Sequence, residues 1–406
     1  MDIKRKMSYK FRDFEGGLFS SVAKADVGDA VANLRAQGVD NMAWADPFYP
    51  DPSTPESVKQ AVIKAVEEGS SSHYTCPGGF MDLRKTVAKK LEKYNNLKID
   101  PSRNIIITPG SDAGLFFAMA PFIDEGDEVL TLDPGYPDNF SNVKLLGGIA
   151  ISVPCYAEDN WQFRIEEFEK RLTDKTKMVL ITHPSNPTGV VYRRENLEKL
   201  AEFIVKNDLV LVCDQAFEDH IFDDIEFVSP ASLPGMWERT VTVFSVSKGY
   251  GLSGYRIGYL VADDHIMDVF YGCGVNILGG TNHLAELGCI AAFNDESILE
   301  GYHKTLNKRR EMFMDAIKDI PHISILKPES GFLAWINVKE LGGAAKVCDY
   351  LLKEAKILVN DGIIYGPNTC GKDYIRVVYG CFGNDEKANE AYLKIAKGLK
   401  ELANNI

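Results

Sequence analysis

The sequence is short of positive charge. It has 45 Lys and Arg against 58 Asp and Glu, a formal net charge of −13 at pH 7, which argues against nucleic acid or an anionic membrane surface as the main partner. No apolar run approaches the ~20 residues of a membrane span, and the opening MDIKRKMSYKFRDFEGG lacks the apolar centre of a signal peptide. We therefore expect a cytoplasmic protein whose anionic ligands, if any, are held by a local site.

Paired cysteines are also missing. The eight cysteines lie far apart and never form a CxxC pair, which favours reduced thiols and no metal site of the zinc-knuckle kind. No internal repeat or low-complexity segment is present. A chain of 406 residues that is 45% hydrophobic is expected to fold into two or three globular domains, at ~150 residues per domain.

The sequence does contain short apolar runs, which are typical of buried parallel strands. Helical spacing of apolar residues occurs between some of them, at 113–123 and 194–206. Strands that alternate with helices predict an α/β sheet covered on both faces. The predicted strands are 104–108, 128–132, 178–182, 209–213 and 241–246.

The pattern of predicted secondary structure changes after about residue 290. A long charged helix is predicted at 296–317, followed by the run GFLAWINV and a last strand at 374–379. We predict a large domain at 50–290 and a small α+β domain at 291–406. Residues 1–49 would form an N-terminal arm and part of the small domain.

The most informative stretch is TVFSVSKGYGLSGYRIGYLVA, at 242–262. It places Lys248 directly after a buried strand, with Ser245 three residues before it and Arg256 eight after it. A surface lysine is the simple alternative, which the flanking serine, arginine and glycines disfavour. The stretch also contains a GxGxxG pattern typical of dinucleotide sites. However, 255–262 alternates like a strand where the motif needs a helix, and no acidic residue follows at the expected distance of ~20.

SVSKGYGLSGYRIGY resembles the lysine segment of class I/II pyridoxal-phosphate (PLP) aminotransferases, the aspartate aminotransferase superfamily of fold type I. Further segments match in the family's order over about 300 residues: HYTCPGGFMDLR, PGSD, DPGYPDN, HPSNPTG, LVLVCD and DYIRVVYG. The resemblance implies a large domain with a mostly parallel seven-stranded sheet between helices and a smaller α+β domain. It also implies an enzyme that moves an amino group between an L-amino acid and a 2-oxo acid.

The resemblance assigns the cofactor chemistry to three residues. Lys248 would hold PLP as a Schiff base and carry a proton at the substrate Cα. Asp214 would pair with the pyridine nitrogen and keep it protonated, although an Asp at a strand end can simply cap a loop, and the acidic run DQAFEDHIFDD could instead bind a hard metal ion. Asn186 would donate to the phenolic oxygen of PLP and border the substrate, where a plain Asn-Pro turn is the alternative.

The phosphate of PLP would be held between a predicted strand and helix. There Gly110, Ser111 and the Asp112 amide match the family's phosphate loop, and free amides at a helix start bind anions. The Asp112 side chain is unfavourable beside an anion, and its alternative role is to cap the predicted helix. Ser245 and Arg256 would complete the phosphate site.

Three other residues match family positions. Tyr74 matches a tyrosine that reaches the phosphate of the neighbouring subunit and acts in catalysis, which implies a homodimer with shared sites. Tyr136 matches the ring that stacks on the cofactor, with a core tyrosine as the alternative. Arg376 matches the arginine that binds the substrate α-carboxylate through two parallel hydrogen bonds.

The chain departs from the family at two site positions. Phe217 stands where relatives have a tyrosine that donates to PLP, and Ala45 stands before Asp46 at the substrate mouth, where many relatives have glycine. No arginine is clearly placed for a second substrate carboxylate. Two other functions stay open: a C–S β-lyase or decarboxylase on the same scaffold, and a non-catalytic effector domain of a transcription regulator, which would be expected to follow a DNA-binding module.

Overall fold

The largest sheet contains the strands that the sequence predicts. The protein is described here by a computed structural model covering residues 3–12 and 27–405. Its seven-stranded sheet has the order β2-β8-β7-β6-β5-β3-β4, and its strands are parallel except β8, which is antiparallel to both neighbours. The strands are β2 (Ile105–Thr108), β3 (Glu128–Asp133), β4 (Ile149–Pro154), β5 (Thr176–Thr182), β6 (Val210–Asp214), β7 (Thr240–Ser245) and β8 (Gly258–Val261).

Short strands form the second, smaller part of the fold. An antiparallel sheet of order β12-β13-β10-β9 packs against helices near the C-terminus, and β1 pairs in parallel with β11. These strands are β1 (Asp40–Asn41), β9 (Ser324–Ile325), β10 (Leu333–Asn337), β11 (Ile357–Leu358), β12 (Asn360–Asp361) and β13 (Tyr374–Val378).

Helices cover both faces of the large sheet and one side of the small one. In chain order they are α1 (Tyr9–Arg12), α2 (Val27–Ala36), α3 (Glu56–Glu68), α4 (Met81–Tyr94), α5 (Ser111–Met119), α6 (Pro137–Leu146), α7 (Ile165–Glu169), α8 (Arg194–Lys206), α9 (Val246–Gly249), α10 (Asp264–Ile277), α11 (His283–Phe293), α12 (Glu296–Ile317), α13 (Ala344–Tyr350) and α14 (Asp385–Ala403).

The hydrophobic pattern explains most of these elements. Helix α8 has the predicted bounds because its apolar stripe, including Leu197 and Ile204, packs in one cluster with the buried strand β6. Helix α5 ends at Met119, earlier than the predicted 123, since Pro121 cannot donate the next helical hydrogen bond. The pattern misses β4, an edge strand that starts at the exposed Ile149.

The pairing of β1 with β11 joins the segment before Pro50 to the C-terminal part of the chain. Met42, just after β1, lies in the same hydrophobic cluster as the small sheet and helices α12 and α14. This supports grouping the arm with the small domain, and the boundaries near 50 and 290 stay predictions. Residues 1–2 and 13–26 of the arm, and Ile406, lie outside the described residues.

The two sheets meet at the carboxyl ends of β5, β6 and β7. In parallel α/β sheets this edge is where ligands bind, because loops and helix N-termini converge there. Across residues 3–12 and 27–405, no helix is both long and apolar enough to cross a membrane.

Candidate active site

A cavity of about 830 Å³ opens at this edge of the large sheet. Its walls come from the large sheet, from the segment 43–46 and from the small sheet. Most of the predicted site residues line it: Ala45, Ser111, Asp112, Tyr136, Asn186, Asp214, Phe217, Lys248, Arg256 and Arg376. Residues from three distant parts of the sequence therefore converge on one space.

Lys248 lies in the single-turn helix α9 directly after β7. Its Nζ donates a hydrogen bond to the backbone oxygen of Ala45 at 2.5 Å. Burial lowers the pKa of Lys248, and the charges of Arg376 and Arg256 lower it further against the opposing effect of Asp112 and Asp46. A lysine whose pKa is lowered is more often the neutral amine, the nucleophilic form.

The GxGxxG pattern does not form a dinucleotide site. Gly249 ends α9, and Gly254 lies in a short 3-10 turn that leads into strand β8, so no helix opens at the last glycine. Gly249 has a packing role instead. A Cβ there would lie 2.0 Å from the Asp219 carboxylate, so only glycine lets the lysine-bearing turn lie against this side chain.

Asp214 stands at the carboxyl end of β6 with its side chain buried. Its Oδ1 accepts from the Ala216 amide at 3.1 Å, and its Oδ2 accepts from Thr182 Oγ1 at 3.4 Å. Burial raises the pKa of Asp214 to about 7, and this effect outweighs the hydrogen bonds and the attraction of Lys248. A cationic group beside this carboxylate would stabilise its charged form.

The N-terminus of α5 and Arg256 form an anion-binding corner. Gly110 precedes the helix with φ +86°, and a Cβ there would lie 2.3 Å from Arg256 Nη2, so glycine is required for this close approach. Arg256 also pairs with Asp112 at 3.2 Å, and Tyr136 donates to the other Asp112 oxygen at 3.2 Å. The Asp112 side chain therefore orients Arg256 and Tyr136.

Ser245 is close to this corner but has a different contact. Its Oγ accepts from the Ser247 amide at 3.1 Å and so caps α9. The side chain is buried and does not line the cavity. Its predicted role as a phosphate ligand stays a prediction.

Arg376 is buried on β13, opposite the lysine. Its Nη1 donates to Asn186 Oδ1 at 3.1 Å, and its Nη2 donates to the Ala43 oxygen at 2.6 Å and to Asn360 Oδ1 at 2.8 Å. Its Nε has no hydrogen-bond partner. Burial lowers the pKa of Arg376. All three acceptors are neutral, so within residues 3–12 and 27–405 the guanidinium has no anionic hydrogen-bond partner, and a bound carboxylate would supply one.

Asn186 is oriented by this arginine. Because its Oδ1 accepts from Arg376, its amide nitrogen is left to donate towards the cavity. The asparagine lies between Arg376 and the rest of the cavity, and its cofactor and substrate roles stay predictions.

Phe217 lines the cavity with an apolar ring, whereas Tyr74 lies outside the cavity. The centroid of the buried Phe217 ring lies 6.0 Å from Lys248 Nζ, and the ring packs on Phe332. It brings no donor to the cavity. Tyr74 is fully exposed and does not line the cavity of its own chain, so a role in the site requires a second subunit.

The sequence reasoning missed Asn360 and Tyr365. Asn360 faces Arg376 across the β12–β13 pair, and the Tyr365 ring lies 4.6 Å from the guanidinium carbon. No motif marks either residue, and only the pairing of the small sheet could have indicated Asn360. The acidic run near Asp214 gathers no metal site, since no group of three potential ligands is found in the described parts of the chain.

The match to known proteins agrees with this geometry. The chain matches the family described as Aminotransferase class I and II over residues 40–395. The chain belongs to this family. The predicted fold type and aminotransferase activity are thereby confirmed, so the enzyme is a transferase and the regulator-domain alternative falls away.

Several relatives align with this aminotransferase over nearly its whole length. A probable aspartate/prephenate aminotransferase from Aquifex aeolicus is 30% identical over 377 residues, which is 91% of this chain and 93% of that one. An aromatic-amino-acid aminotransferase from Thermococcus litoralis is 30% identical over 90% of this chain and 94% of its own. The solved aromatic aminotransferase from Pyrococcus horikoshii is 29% identical, with a TM-score of 0.83 over 91% of this chain and 99% of that chain.

Proposed function

We propose that this aminotransferase binds PLP and transfers an amino group between an L-amino acid and a 2-oxo acid, with Lys248 as its catalytic amine. The observation that carries the proposal is the placement of Lys248, Asp214 and Arg376 around one cavity. Asp214 and Arg376 are buried and Lys248 is partly buried. Among the described residues, none of the three has a charged hydrogen-bond partner. These three groups complement an aldehyde, a protonated ring nitrogen and a carboxylate.

The residues fit the cofactor at both of its ends. The raised pKa of Asp214 reflects a buried carboxylate that a protonated pyridine nitrogen would stabilise in its charged form. The amides at the start of α5, with Arg256 behind Gly110, offer the donors that a phosphate needs. When bound, PLP supplies an aldehyde carbon that joins to amines and a ring that takes up an electron pair from the substrate Cα.

The protein side of the reaction follows from the positions of these residues. Arg376 binds the substrate carboxylate and so holds the Cα near Lys248. The Nζ of Lys248 accepts the Cα proton, for which a lowered pKa suits it because a neutral amine can act as a base. Arg376 fixes the orientation of Asn186, whose side-chain amide would donate a hydrogen bond to the phenolic oxygen of a bound PLP.

The proposal includes a homodimer in which Tyr74 acts on the partner's site. Its full exposure at the surface of one chain supports this role. A cytoplasmic location is also part of the proposal, and the eight free cysteines are consistent with it.

The test is a half-reaction with purified, PLP-loaded protein and a panel of L-amino acids. We expect the yellow absorbance to convert to that of the pyridoxamine form, and a 2-oxo acid to restore it. Release of pyruvate and ammonia without added oxo acid would instead identify a β-lyase, and release of CO₂ a decarboxylase. The Lys248→Ala variant is the control for non-enzymatic exchange.

A further inference from the structure

The substrate end of the cavity is largely apolar, and it determines which side chain the substrate carries. We propose that the site selects amino acids with neutral, apolar side chains over the dicarboxylates aspartate and glutamate. This inference rests on the proposed function, because it concerns the same site and the same half-reaction.

The segment 43–45 indicates how a bound amino acid would be oriented in the cavity. The Ala43 oxygen accepts from Arg376 at 2.6 Å, and the Ala45 oxygen accepts from Lys248 at 2.5 Å. A substrate with its carboxylate on Arg376 and its amine towards Lys248 therefore lies along this segment. Its side chain must occupy the cavity space that the remaining walls enclose.

Those walls come from elements on either side of the cavity mouth. Helix α2 and the segment 43–45 contribute from the N-terminal part, and helix α13 and the segment 358–364 contribute from the small domain. None of their apolar side chains carries a charge that could offset a second substrate carboxylate. They are Leu34, Trp44, Cys348, Leu358, Ile363 and Ile364.

Each cationic side chain that lines the cavity already has another role or partner. Within the described parts of the chain, the cationic side chains that line it are Lys248, Arg256 and Arg376. Arg256 lies at the phosphate corner, paired with Asp112, and Arg376 is needed for the α-carboxylate. A second substrate carboxylate therefore meets no further cation from these residues.

Two carboxylates add repulsion to this lack of a partner. Asp46 and Asp361 line the same cavity and flank the substrate end. Asp361 accepts from the Ile363 amide at 3.0 Å, which holds it in the apolar segment. A dicarboxylate would bring a like charge close to both groups, and like charges in a partly buried site repel more strongly than in water. An apolar side chain avoids this cost and removes its own surface from water.

The test compares amino acids in the half-reaction of the PLP-loaded protein. We expect kcat/KM for leucine, methionine and phenylalanine to exceed that for aspartate and glutamate by at least ten-fold. A wild-type preference for aspartate or glutamate would overturn the inference while the proposed aminotransferase reaction stood. Conversion by no amino acid would overturn the proposed function and this inference with it.

A variant pair tests the wall itself. Ile363 and Val205 are both 42% exposed, but only Ile363 lines the cavity. Ile363→Arg places a cation beside Asp361 and should lower the preference for leucine over aspartate several-fold. Val205→Arg, a matched charge change on the surface of α8, should leave the ratio unchanged. Equal ratios in the two variants would show that this wall does not select the side chain.

Discussion

Replacing Asp214 with asparagine should make the cofactor-free protein more stable than the wild type at alkaline pH. The Asp214 carboxyl is buried, accepts two hydrogen bonds from uncharged donors and has its pKa raised from 3.8 to about 7, mainly by burial. Without PLP, the folded protein therefore keeps a proton on this group that the unfolded chain releases. Asparagine has a similar shape and cannot ionise.

The size of the effect follows from the two pKa values. Because the folded protein binds more protons than the unfolded chain between about pH 4 and pH 7, its stability falls as the pH rises through that window. The shift of about three units corresponds to roughly 4 kcal/mol over the whole window, at ~1.4 kcal/mol per unit. Between pH 5 and pH 8 about two units apply, so we expect roughly 3 kcal/mol.

Chemical unfolding at one protein concentration measures this difference. The free energies of unfolding of wild type and Asp214→Asn, both freed of PLP, are compared at pH 5 and pH 8. The advantage of the variant should grow by roughly 3 kcal/mol between the two. Asp174→Asn, at an exposed position, should follow the wild type at both pH values. Parallel profiles for wild type and Asp214→Asn would refute the reasoning that Asp214 is a buried carboxylate awaiting a cation.

Three further predictions concern the proposed cofactor site. Lys248→Ala should lose several orders of magnitude in turnover yet still bind PLP in a fluorescence titration, and substantial remaining transamination would contradict the role of this lysine. If Tyr74→Ala is impaired, mixing it with Lys248→Ala subunits should restore activity in hybrid dimers, whereas an active monomer at low concentration would contradict a shared site. Phe217→Tyr should lower the pKa at which the PLP-loaded protein loses its protonated yellow form by roughly one to two units, because the new hydroxyl joins Asn186 as a donor. A spectroscopic pH titration that gave no shift, or an upward one, would mean that another group already supplies this donor.

The large sheet was predictable because its strands are buried on both faces. Such strands give continuous apolar runs, and the ends of β5, β6 and β7 carry the polar residues that parallel pairing brings together. The local pattern could therefore place Asp214 and Lys248 at the ends of buried strands, while their proposed roles depended on the family resemblance. Edge and short strands such as β4 and β12 carry no such pattern, because one face is partly exposed or the strand is only two residues long.

Contacts between distant segments were not predictable from spacing. The hydrogen bonds of Lys248 and Arg376 to backbone oxygens in the segment 43–45 depend on how the N-terminal segment packs between the two sheets. Backbone oxygens have no side-chain signature, so the motif around Ala45 marked a position at the substrate mouth without indicating its contacts. Asn360 was missed for the same reason, since it meets Arg376 through the register of a short strand pair.

Two lysines near the candidate site, Lys90 and Lys248, differ in whether the fold gives their charge a partner. Lys90 contacts Glu218 at 2.5 Å and Asp219 at 2.8 Å. Although burial opposes it, these partners hold the pKa of Lys90 well above its ordinary value. Lys248 is only partly buried, but its hydrogen bond is to a neutral oxygen and burial lowers its pKa. Lys90 has carboxylate partners, whereas Lys248 has none among the described residues, so holding Lys248 in its charged form at this partly buried position has a cost. That cost is recovered when a ligand binds there, which is why the uncompensated lysine, rather than the ion-paired one, is the position to test for chemistry.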